Sequence, residues 1–117
     1  MITLENARNK FVEDLCNVIE VECELLSAAE QTIDSFFNFL QSKNIFYVDF
    51  VSTKDLTEYR MKLLGMENGD EEKCLVESVS AFLVLAAKEE WIDKSVYFHW
   101  EIISSRAYFS MQFSIVN

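Results

Sequence analysis

The stretch SVYFHWEIISSRAYFSMQFSIV, Ser95 to Val116, decides the fold that the sequence predicts. From Ser95 to Ile103 the residues alternate, with Val96, Phe98, Trp100 and Ile102 on one side. From Arg106 to Val116 they alternate again, with Ala107, Phe109, Met111, Phe113 and Ile115 on one side. A period of two is the signature of a half-buried strand. Setting Ile103 opposite Arg106 pairs Trp100 with Phe109 and Phe98 with Met111, which turns every large apolar residue toward one core. Ser104-Ser105 lies between the runs, without the Gly or Asn of a tight turn, so a four-residue loop in the same register serves equally well. The expectation is a C-terminal β-hairpin.

Working back from the hairpin, Val79 to Ala87 (VSAFLVLAA) is apolar nearly all round, the pattern of a helix buried on most sides. It belongs to a helix of about Glu71 to Ile92, capped by Asp70 after an Asn68-Gly69 turn. A shorter helix, capped by Ser52 or Thr53, runs to Leu64, turns Leu56, Tyr59, Leu63 and Leu64 inward, and stops at Gly65. Ile45 to Val51 (IFYVDFV) reads as a further strand. Leu4 to Ser42 is helical, with Thr3 as its cap and Val12, Ile19, Leu26, Ile33 and Leu40 recurring every seven residues. A straight helix of that length would reach about 55 Å, longer than a domain of this size. A break is therefore expected near Ser27, where Ser27-Ala-Ala-Glu30 fits a capping box. The alternative is an overhanging helix that pairs with a second copy in a homodimer. Residues 1–117 form a single α+β domain in this reading, with helices on one face of a small antiparallel sheet.

Composition narrows the chemistry. Twenty acids against ten bases give a net charge of −10. So negative a surface repels phosphate backbones and anionic membranes and attracts basic proteins. The N-terminus lacks the basic and apolar regions of a signal peptide, and the apolar runs are short for a membrane span. The three cysteines read as reduced thiols. Cys16 and Cys23, seven apart on one helix, lie about 10 Å apart along it, too far for a disulfide. These features together point to the cytoplasm.

No catalytic constellation accompanies His99, the only histidine. Cys16, Cys23, Cys74 and His99 include no C-x2-C pair, so neither a metal nor a cofactor is expected, and the chain does not read as an enzyme. Two surfaces stand out as partner-binding. Between Phe11 and Ser42 there are seven acids and no Lys or Arg. Glu13, Glu20 and Glu24 form one ridge there, without the Glu–Lys pairs of a helix that is merely stabilised. On the outer face of the expected sheet, Tyr97, His99 and Glu101 neighbour Tyr108, and Tyr47 and Asp49 extend the face; tyrosines with carboxylates suit a basic surface. Small size, acidity and the missing catalytic set match, as a class, toxin-immunity and phage-encoded inhibitors that occlude a basic toxin or nuclease. The alternatives are an acidic secretion chaperone for an effector protein, then a small ligand-binding domain or enzyme.

Overall fold

The computed structural model describes residues 1–18, 23–66 and 69–104. It contains five helices: α1 (Leu4–Val18), α2 (Cys23–Ser42), α3 (Thr53–Leu64), α4 (Gly69–Lys88) and α5 (Lys94–Ser104), with a 3-10 turn at Val48–Phe50. Among the described residues the only β pairing is an isolated antiparallel bridge between Thr3 and Tyr47. The described residues therefore form an all-helical fold apart from that bridge, and the expected α+β sheet is corrected.

The first half of the expected hairpin is α5. Its sequence supports two periods at once. Read at two, Val96, Phe98, Trp100 and Ile102 align; read at 3.6, Val96, Trp100 and Ile103 align. The helical set wins, because Trp100 and Ile103 are buried while Phe98 and Ile102 are 58% and 57% exposed. Asp93 starts the helix: its carboxylate accepts the Ser95 N–H at 2.9 Å, and its carbonyl accepts that of Val96. The indole N–H of Trp100 then finds Ser80 Oγ on α4 at 2.8 Å, which satisfies its one polar atom inside the core. The second half, Arg106 to Val116, lies outside the described residues. Among the described residues, Ile45 to Val51 pairs with residues 2–4: Leu4 N–H donates to the Phe46 carbonyl and Val48 N–H to that of Ile2.

The helical expectations fare better. Thr3 Oγ1 accepts the Asn6 N–H and caps α1. Ser52 and Asp55 form a reciprocal capping box on α3, whose buried face carries Leu56, Tyr59 and Leu63. The described part of α1 ends at Val18 and that of α2 begins at Cys23, residues 19–22 lie outside the described residues, and Ser27 is inside α2 rather than at its start. Cys16 and Cys23 consequently sit on different helices, and the spacing argument that separated them along one helix does not apply. The α4 helix stops at Lys88 rather than Ile92 because Glu90 turns left-handed, at φ 60°.

Contacts define the arrangement. Arg8 of α1 meets Glu30 and Asp34 of α2, so these two helices run antiparallel. Thr32 bonds Ser78 and Phe36 packs on Phe82, so α2 and α4 run in the same sense. Ser80 bonds Trp100, which makes α4 and α5 an antiparallel pair. The core between them is aromatic: Phe82 stacks on Phe11 at 5.8 Å and meets Phe37 edge-on at 5.0 Å, while Tyr59 lies between Phe36 and Trp100. Arg60 is buried with it. Its Nη1 donates to Glu72 Oε1 at 2.8 Å, and its Nε donates to the Ile103 carbonyl, so α3 is tied to both α4 and α5.

Candidate functional site

The acidic residues divide into two groups. Asp14 is paired with Lys10, Glu30 and Asp34 with Arg8, Glu58 with Lys43, and Glu72 with Arg60. The Asp34 hydrogen bond raises the Arg8 guanidinium above its ordinary value. These carboxylates are neutralised within the fold. Others are left for solvent or a partner, and three of them converge.

They converge where the turn between α4 and α5 passes the 3-10 turn. A cavity of about 570 Å³ is lined there by Asp49, Glu90 and Asp93, with Lys94, Trp91 and Val96. Local backbone chemistry places each group. At the end of α4, the Trp91 N–H reaches the Ala86 carbonyl and the Glu90 N–H that of Ala87. This is a Schellman ending, in which the left-handed position is normally glycine; here it is Glu90, which lines the cavity. Ile92 is buried and anchors the turn. Asp93 caps α5, and the Ser95 backbone N–H holds its carboxyl below the usual aspartate range. Asp49 is held by the Ile2 N–H at 2.9 Å. None of the three carboxylates has an ion-pair partner among the described residues. On the segment that carries Asp49, Tyr47 and Phe50 pack edge to face at 5.8 Å and are both exposed.

Carboxylates beside indole, phenol and phenyl rings favour an organic cation: an ammonium or guanidinium gains charge-assisted hydrogen bonds from the oxygens and quadrupole attraction from ring faces. Among the described residues no group of three or more His, Cys, Asp or Glu is arranged to hold a metal. No helix among them is long and apolar enough to cross a membrane.

Of the residues singled out from sequence, Glu13 is exposed on α1 and Glu24 lies on α2, so the supposed ridge does not belong to one helix. Glu20 and Tyr108 lie outside the described residues. Tyr97 and Glu101 are brought together, four apart on α5; desolvation and then the nearby Glu101 carboxylate raise the Tyr97 phenol. His99 points elsewhere: its Nε2 meets Thr57 Oγ1 at 2.8 Å. Because the Thr57 hydroxyl donates to the Thr53 carbonyl, the imidazole is the donor in that pair. Sequence reasoning missed Glu90, Trp91 and Asp93. Their signal is an acid–aromatic run in a short interhelical turn (EEWID, 89–93), a place where binding residues concentrate.

What the fold and site define is a domain whose described residues are helical, with a predominantly anionic depression that Trp91 lines. No family model matches this chain, and no curated protein or solved structure is found to be similar to it.

Proposed function

We propose that this chain is a binding protein that occludes a basic protein, in the manner of toxin-immunity or phage-encoded inhibitors, and that the depression at Asp49, Glu90 and Asp93 receives a Lys or Arg side chain of that partner. One observation carries the reading: three carboxylates with no ion pair among the described residues line one cavity with Trp91 and a single lysine, Lys94, while five others are neutralised by the fold's own bases. Leaving like charges together costs stability, and a cationic partner offsets that cost. The net charge of −10 adds long-range attraction for such a partner.

The test starts with a partner captured from the host and identified by mass spectrometry, then measured against purified variants. Asp49→Asn, Glu90→Gln and Asp93→Asn together keep side-chain size, and Asn still caps a helix. The triple variant is expected to weaken binding by about a hundredfold, the scale of one hot-spot contact. The rival triple Glu13→Gln, Glu20→Gln, Glu24→Gln removes the same charge elsewhere and is expected to slow association only, by an amount that vanishes at high salt. Equal effects from both triples would reduce the depression to a contributor of net charge. A partner of acidic character would end the reading altogether.

A further inference from the structure

On the side of the molecule where α2 meets α3, Gln31, Ser35, Asn38 and Ser42 form a polar stripe along α2. A stripe of that spacing spans about 16 Å. Beneath it lie two adjoining cavities of about 720 and 470 Å³ that share Gln31, Ser35 and Lys62. The larger is within the usual size of a small-molecule site. Its apolar end is made by Leu63, Met66 and Leu75, and the rings of Tyr59 and Phe39, with centroids 5.0 Å apart, contribute to the floor.

Two polar groups there are underused. Tyr59 is 1% exposed, yet its hydroxyl has only a contact of 3.5 Å with Ser35 Oγ, at the outer limit of a hydrogen bond. Burial raises the Tyr59 phenol, which keeps it a donor. Among the described residues, Lys62 is the one cation lining either cavity. It has no carboxylate partner among the described residues, and its ammonium sits 5.7 Å from the Phe39 ring centroid. Lys43 Nζ sits 5.6 Å from the same centroid, so two ammoniums already share that ring and repel a further cation from it. The rim carries Asp34, Asp70 and Glu71, which repel a polyanion such as a nucleotide. A single negative charge on an apolar body satisfies both constraints.

We infer that this trough binds a small free monocarboxylic acid with an extended apolar body, its carboxylate at Lys62, Ser35 and Tyr59 and its chain over Leu63, Met66 and Leu75. The site is separate from the acidic depression and does not depend on the proposed partner.

Calorimetry with octanoate, octan-1-ol and octylammonium tests it on the full chain. Octanoate is expected to bind saturably and one to one, octan-1-ol at least about tenfold more weakly, and octylammonium more weakly still. Lys62→Gln is expected to weaken octanoate about tenfold, and Tyr59→Phe about threefold, while Lys54→Gln, which lines neither cavity, leaves it unchanged. Octanoate should shift the backbone amide resonances of Ser35, Gly65 and Met66. Equal affinity for the acid and the alcohol, indifference to Lys62→Gln, absence of saturable binding, or shifts centred on Trp91 would each overturn the assignment.

Discussion

Glu90 carries more than one consequence of its backbone angle. A left-handed residue with a side chain costs about 1–2 kcal/mol, which glycine avoids. Asn44 ends α2 in the same conformation, at φ 63°, with the same pair of hydrogen bonds to Leu40 and Gln41; asparagine tolerates it better than glutamate. The strain at Glu90 therefore has no packing rationale, whereas its place on the rim of the depression supplies one. Glu90→Gly is expected to raise stability by about 1 kcal/mol while weakening partner binding. Urea unfolding and a binding titration on one preparation decide it, and a variant less stable than the parent would mean the turn is held by something other than its φ. Two of the expected helix caps, Thr3 and Ser52, were legible at this scale, whereas Ser27 and Asp70 lie inside α2 and α4 rather than before them. Thr3, Ser52 and Asp55 satisfy backbone donors within three or four residues of themselves, so nothing distant is needed to predict them. Glu90 was not legible, because glutamate carries no signal for positive φ.

At the scale of elements, the buried Arg60–Glu72 pair holds three helices. A buried ion pair is no proof of stability, but removing one partner strands the other charge. Arg60→Met is expected to cost about 3–5 kcal/mol, and the double change Arg60→Met with Glu72→Leu to recover part of that. Thermal unfolding of both variants gives the coupling, and strict additivity would show that the two side chains act independently. The same scale explains which elements the sequence predicts. The apolar run of α4 needs burial on most sides in any fold, so it reads as a buried helix without knowledge of its neighbours. Ser95 to Ile103 satisfies both periods, and what selects helix is tertiary: Ser80 waiting for the Trp100 indole, and Arg60 meeting the Ile103 carbonyl. Neither partner is visible locally. Reading that segment as a strand gives Ile45 to Val51 a sheet to join and puts Tyr47 and Asp49 on its outer face, which does not form among the described residues. Both residues nevertheless belong to the 3-10 region beside the depression, so part of the candidate site was noticed for the wrong geometric reason.

For the whole molecule, the division of charge matters more than its total. Composition alone shows an excess of ten acids; it cannot show that Arg8 is spent on Glu30 and Asp34, or that Asp49, Glu90 and Asp93 form no ion pair among the described residues. The packing plan also has a consequence in time. The helix pairs α1–α2 and α4–α5 close over short connections and can form early, but α2 reaches α4 through Thr32 and Ser78, 46 residues apart. Closing that loop carries an entropic cost before its contacts reward it. Docking of the two hairpins is then the slow step, and Phe82, which meets Phe11, Phe36 and Phe37 at that junction, belongs to the nucleus. Phe82→Leu is expected to slow refolding several-fold and leave the unfolding limb of the chevron nearly unchanged, with the opposite pattern placing the barrier inside one hairpin. A protein built this way spends its vulnerable moments as two formed hairpins with bare aromatic faces, so its yield on refolding should depend on how dilute it is when Phe82 finds its neighbours.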